Sequence, residues 1–163
     1  MKKEFLELLN HFKGLECWSN IAGTGTGSIF TLGFGKKISR KIPLTNPHLT
    51  NEEQYYDPEY ALMVWSSWSL LKENILICNS NSSNEKEGQM IVGLRNLIGK
   101  RIWKTTINDT TLDLEIEFDF DYQLVILADG YDLYGDDADN YVLFFPDFNM
   151  SVTTGLEIKK SSR

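Results

Sequence analysis

From Leu112 to Asp121 the chain alternates without a break. Leu112, Leu114, Ile116, Phe118 and Phe120 take one parity, and Asp113, Glu115, Glu117, Asp119 and Asp121 take the other. A period of two belongs to an extended strand, whose successive side chains point to opposite faces. The segment therefore predicts a strand with one buried and one wet face, and a row of up to five carboxylates on the wet one. Same-face neighbours stand about 6–7 Å apart on a strand. Each neighbouring pair then repels by roughly 0.5–1 kcal/mol in water before screening. Either cations relieve the row or it faces bulk water. A two-residue turn at Asp109 and Thr110 would set Lys104 opposite Glu115, with Trp103, Thr105 and Ile107 on the apolar face beside Leu112, Leu114 and Ile116.

The rest of the pattern is also strand-rich. Residues 1–13 read as a short amphipathic helix, with Phe5, Leu8, Leu9 and Phe12 on one face and Gly14 as its stop. Residues 15–22 and 28–34 read as strands joined by the glycine-rich GTGTG. The stretch 36–58 reads as a long connection that carries Lys36, Lys37, Arg40 and Lys41 and then Pro43, Pro47 and Pro58. Residues 59–71 and 74–79 read as a hairpin with Lys72 and Glu73 near its turn, and 80–88 as a polar loop. A second helix is expected over 89–98, ending at Gly99. Strands follow at 100–107, 111–118, 123–128, 140–145 and 148–154. Two helices among many strands, without strand–helix alternation, predict a single α+β domain over 1–163, built on a mostly antiparallel sheet. With 42% hydrophobic and 12% aromatic residues, the 163-residue chain has material for a core of that size.

Charge is distributed unevenly. Residues 1–50 hold 7 basic and 3 acidic side chains, whereas residues 105–163 hold 3 and 13, within a whole-chain net charge of −7. Between Lys104 and Lys159 there is no Lys, Arg or His, while 12 acids fall from Asp109 to Asp147. Such asymmetry is a partner signal, and its sign argues against direct nucleic-acid binding and against anionic membranes. The acid row has two readings: a solvated strand face that keeps the chain soluble, or a docking surface for a basic protein. A second cluster, DGYDLYGDDADN, places Asp129, Asp132, Asp136, Asp137 and Asp139 within eleven residues. Carboxylates so dense suggest Ca²⁺, but the EF-hand order fails from either Asp132 or Asp137. An acidic turn between strands is the plainer reading. A partner-binding loop anchored by Tyr131, Tyr134 and Tyr141 is the third.

Catalytic signatures are missing from the sequence. GTGTGS at 23–28 fails the dinucleotide pattern in every register, and the Walker spacing before Gly35 places Phe30 where glycine is needed. A hairpin turn using glycine at positive φ accounts for these residues. The two histidines, His11 and His48, have no metal-ligand neighbour at a standard spacing. Nothing local supplies a base to a nucleophile, and a solvated acid row is the opposite of a glycosidase cleft. Trp18, Trp65, Trp68 and Trp103 fit core strands, with a carbohydrate platform as the alternative. Cys17 and Cys78, far apart and outside any CxxC, read as two buried thiols rather than a disulfide. The N-terminus lacks the features of a signal peptide, and no run of 18 apolar residues occurs, so the expected location is the cytoplasm.

CW…GTGTGSIFTLGFG at 17–35, SSWSL at 66–70 and TLDLEIEF…LVIL…DNYVLFFP from 111 to 146 carry a resemblance. The chain resembles a loose group of small, uncharacterised bacterial cytoplasmic proteins of the accessory or toxin-immunity kind. The resemblance implies neutralisation of a toxin by binding and carries over no catalytic residue. The expectation is thus a non-enzymatic protein without cofactor or bound metal, whose acidic surface docks on a basic partner such as a toxin or nuclease. The alternative is a small-ligand or Ca²⁺-binding domain with the 36–58 connection as a lid. The candidate partner-binding residues are Asp113, Glu115, Glu117, Asp119 and Asp121 on the row, and Asp129, Tyr131, Asp132, Tyr134, Asp136, Asp137 and Asp139 in the loop.

Overall fold

The structure is a computed structural model, and it describes residues 1–130 and 137–163. It begins with α1 (Lys2–Leu9), extended by a 3-10 turn at Asn10–Phe12. Phe5, Leu9 and Phe12 turn inward and are buried, as their spacing predicts. Gly14, at φ +85°, then redirects the chain into β1 (Cys17–Ala22). The glycine-rich turn follows, with Gly25 and Gly27 in the left-handed region, and leads into β2 (Phe30–Ser39).

About half of the 36–58 stretch is regular secondary structure, so the expected long connection is shortened to residues 40–50. Lys36 to Ser39 complete β2, and Tyr56 to Pro58 open β3 (Tyr56–Val64). Between them lies α2 (Asn51–Tyr55), a third helix that the periodicity does not show. Its start is a capping box: Thr50 Oγ1 accepts from the Glu53 backbone at 3.2 Å, and Glu53 Oε1 accepts from the Thr50 backbone at 3.1 Å. The second Glu53 oxygen accepts from Ser19 Oγ at 2.9 Å, so this buried carboxylate pins α2 onto β1. The expected strand 59–71 is also divided. It breaks at Trp65–Ser67, where the chain passes from one sheet to the other. β4 (Trp68–Lys72) and β5 (Ile75–Asn79) then form the hairpin, with Glu73 and Asn74 both at positive φ.

After α3 (Gln89–Arg95) come β6 (Ile102–Ile107), β7 (Leu114–Phe118), β8 (Tyr122–Ile126), β9 (Asp139–Phe144), β10 (Phe148–Thr153) and β11 (Ile158–Ser162). The described strands form two antiparallel sheets, in the orders β1-β2-β3-β9-β10-β11 and β5-β4-β8-β7-β6. The fold is α+β, with antiparallel sheets dominant and three short α-helices. The sheets pack against one another through rings of β2: Phe30 meets Trp68 edge-on at 4.9 Å, and Phe34 stacks near Phe118 at 6.4 Å. One buried cluster draws on α1, α3 and both sheets. At one corner the sheets are stitched by backbone bonds, Ile102 N to Leu15 O at 3.0 Å and Cys17 N to Lys100 O at 2.9 Å.

Of the four tryptophans expected in the core, Trp68 alone is fully buried. Trp18 is half-buried, Trp65 is exposed, and Trp103 is 53% exposed. A bulge between Ile102 and Lys104 turns Trp103 outward. The β6–β7 register also differs from expectation. Lys104 faces Glu117, Thr105 faces Ile116 and Ile107 faces Leu114, because the connection runs over 108–113 rather than two residues. Asn108 Oδ1 holds that longer turn by accepting from Thr110 and Thr111 backbone N–H groups at 2.8 and 2.9 Å. A shift of two positions keeps the paired side chains from Lys104 to Ile107 on their expected faces, and Trp103 at the bulge is the exception. Cys17 and Cys78 are free, buried thiols. No described helix is long and apolar enough to cross a membrane.

Candidate protein interface

The carboxylate row is divided between local structure and an open sheet face. Leu114, Ile116 and Phe118 bury the inner side of β7 at 0–1% exposure. Ahead of the strand, Asp113 is half-buried: its Oδ1 accepts from Ala128 N at 2.7 Å and its Oδ2 from Thr111 Oγ1 at 2.8 Å. After the strand, Asp119 Oδ2 accepts from Arg101 N at 3.0 Å. Both carboxylates tie the ends of β7 to backbone N–H groups of neighbouring segments. The alternation also ends sooner than the pattern indicates, since Asp119–Asp121 form a 3-10 turn with Phe120 and Asp121 at φ +61°. Phe120, expected in the core, is instead 72% exposed.

Glu115 and Glu117 remain on the outward face of the five-stranded sheet. The register there lays one row across all five strands: Leu76, Leu71, Gln123, Glu117 and Lys104. The next row is Asn79, Ser69, Val125, Glu115 and Thr106. The first row is thus apolar at β5 and β4, acidic on β7 and basic at the β6 edge, while the second carries one charge, Glu115 on β7, among polar and apolar neighbours. Gln123 Nε2 donates to Glu115 Oε2 at 3.1 Å, and Lys104 Nζ stands 3.9 Å from Glu117 Oε2, a loose pair with both groups open to water.

At the end of this face nearest the β4–β5 and β7–β8 turns lies an open groove of about 410 Å³. Buried Phe118 and Tyr122 line it together with Trp103, Glu117, Gln123 and the turn residues Glu73, Asn74 and Asp121. The two turns meet there: Glu73 N donates to the Asp121 carbonyl at 3.0 Å, which brings two outward carboxylate residues together. No residue lining the groove is basic. Beside it, the Lys72 ammonium sits 5.0 Å from the Tyr122 ring centre, and that of Lys100 sits 5.5 Å from Phe120 and 5.6 Å from Tyr122.

The loop candidates do not join this surface as one group. Asp129 is exposed and its Oδ1 accepts from Ser67 N at 3.1 Å, closing the sheet-to-sheet crossing. Asp137 is exposed and paired with Lys159, whose hydrogen bond holds the carboxyl below its ordinary range. Asp139 is half-buried in β9, opposite Thr153. Tyr131, Asp132, Tyr134 and Asp136 lie outside the described residues. Tyr141, expected as an aromatic anchor, is fully buried and donates to the Leu112 carbonyl at 2.7 Å, so it belongs to the core. Among the described residues, no three His, Cys, Asp or Glu side chains converge as a metal ion requires.

Trp103, Phe120 and Glu73 are the surface residues that reasoning from pattern misplaced or passed over. A bulge and a turn expose the first two, and neither leaves a mark on the alternation. Glu73 beside Asn74 was the available signal, since a polar pair at a hairpin turn projects outward. No protein-family model, curated protein sequence or solved structure matches the chain.

Proposed function

We propose that this chain is a non-enzymatic binding protein that uses the outward face of its five-stranded sheet to dock on a basic protein. An immunity-type inhibitor acting in the cytoplasm, with a toxin or nuclease as partner, is the role that fits. The observation that supports this is the placement of Glu115, Glu117, Asp121 and Glu73 on one open face, with Lys104 as the sole basic residue of its two central rows. Facing a groove that normally holds phosphate, such carboxylates would supply the complementary charge and steer association. Leu71 and Leu76 extend the face with apolar surface that a purely solvating strand would not need.

The test is capture at low salt from the native cytoplasm, with mass spectrometry, using the wild type and a Glu115→Lys, Glu117→Lys variant. A basic protein retained by the wild type and lost by the variant is the expected result. Both substitutions lie on an exposed face, so the variant should melt within a few degrees of the wild type, equivalent to about 0.5 kcal/mol. A partner held equally by both proteins, or equally at high and low salt, would move the interface elsewhere.

A further inference from the structure

We infer that the groove between Trp103 and the Glu73–Asn74 turn seats an arginine side chain of that partner, and so is the specific anchor within the broader acidic face. The inference rests on the docking reading above and adds to it a residue type and a position.

Trp103 carries the argument. Tryptophan is the largest apolar side chain, and burial would ordinarily be the favoured use of it. Here a bulge turns it out of the sheet and leaves it 53% exposed on the wall of a groove. Of the aromatic rings it also attracts cations most strongly. The neighbouring rings are already used in this way, since Lys72 and Lys100 of this chain lie against Tyr122 and Phe120. Among the described residues no lysine or arginine is placed over Trp103 in the same manner. The Trp103 wall is therefore a cation-binding surface that the chain leaves for another molecule.

The charge of the groove points the same way. Glu73, Glu117 and Asp121 line it without a basic neighbour in the lining. Lys104 reaches Glu117 only at 3.9 Å, beyond hydrogen-bond range, so an incoming donor would not have to displace a hydrogen bond. Guanidinium suits this site better than ammonium. It is planar and weakly hydrated, it stacks on an indole, and its edge presents a fork of N–H donors to carboxylates. A side chain lying on Trp103 would share the groove with the carboxylates of Glu117 and Asp121. The occupant is a protein segment rather than free arginine, because exposed Ile75 and Leu76 continue the surface beyond the Glu73–Asn74 turn and provide apolar contact for flanking residues.

The probes are hexa-arginine and hexa-lysine peptides, titrated at low salt into ¹⁵N-labelled protein while the four indole N–H signals are followed. The Trp103 indole should shift with hexa-arginine, which should bind several-fold more tightly than hexa-lysine. Trp103→Ala should weaken hexa-arginine roughly two- to fivefold, the range of an exposed cation–ring contact, while Trp103→Phe retains most of the affinity. Glu117→Gln with Asp121→Asn should weaken it further. Equal affinity for the two peptides, or an unchanged affinity in Trp103→Ala, would overturn the inference. The two readings also fail separately. Peptide binding lost in Glu115→Lys, Glu117→Lys but intact in Trp103→Ala removes the arginine groove and leaves the acidic face standing. The full hexa-arginine pattern without any basic protein captured from the cytoplasm keeps the groove and removes the docking role.

Discussion

Asp113 accepts the Ala128 N–H and the Thr111 hydroxyl, whereas Glu115, two residues on, accepts only from the side chain of Gln123. The first carboxylate holds a turn against the start of another segment, and the second lies on an open face. Asp113→Ala should therefore cost about 1.5–3 kcal/mol, the range for a hydrogen bond to a charged acceptor. Glu115→Gln should stay within about 0.5 kcal/mol. Urea denaturation of the two variants checks the division. If Asp113→Ala unfolds at the wild-type midpoint, that carboxylate is no more structural than Glu115. The difference between the two was not readable from alternation, which records parity but not whether a backbone N–H waits beside an acid.

The same blindness operates on elements. Apolar parity runs without a fault from Leu112 through Phe118 and on through Phe120, Tyr122, Leu124 and Ile126. In the structure this is two strands, with Phe118 paired to Tyr122. A three-residue connection preserves parity, so the turn at 119–121 is silent in the pattern, and Phe120 reads as core. The glycine turn at 23–27, α1 and α3 were legible because Gly and a 3.6-residue period leave explicit marks. The helix α2 had a mark too, since Thr50 followed three residues later by Glu53 is a capping box in the sequence. Pro43, Pro47 and Pro58 on either side of it, and the charges around it, give the segment the composition of a loop. The sheet face was legible in its two glutamates, Glu115 and Glu117; the groove was not, because a bulge and two turns build it. The α2 cap gives a prediction at this scale. Thr50→Ala should cost about 1 kcal/mol. Glu53→Ala should cost more, because it removes the cap partner and strands the Ser19 hydroxyl beneath the helix, where an unsatisfied group costs about 1–3 kcal/mol. Equal losses from the two substitutions in chemical denaturation would show that the Ser19 bond contributes nothing.

For the molecule as a whole, burial fixes how stability responds to alkali. Cys17 is pushed up from 9.0 to about 12 and Cys78 to about 11, in both cases chiefly by desolvation, and burial also raises the Tyr141 hydroxyl. Each group is neutral when protonated and is held above its unfolded value. Its contribution is complete below pH 9 and is lost as pH climbs towards 11 and 12, because the unfolded chain releases protons that the native state retains. The urea midpoint should therefore fall between pH 9 and 11, and Cys17→Ala should fall less steeply over that interval. A thiol reagent at pH 8 should find both cysteines only after denaturation. The six-stranded sheet has a further consequence. It consists of two local triplets, β1-β2-β3 and β9-β10-β11, and its middle joint pairs Val64 with Tyr141 and Leu62 with Leu143. Every strand of the other sheet lies between those partners in sequence. The hairpins β4–β5, β6–β7, β7–β8, β9–β10 and β10–β11 close over short loops and β2–β3 over the 40–55 connection, whereas the β4–β8 pairing and, over a still longer stretch of chain, the β3–β9 seam must wait for the intervening strands to be ordered. Folding should be limited by that late joining, on the millisecond-to-second scale of chains rich in non-local pairing. Until it occurs the facing edges of β3 and β9 stand open, so this seam is where a newly made chain is most exposed to pairing with a copy of itself.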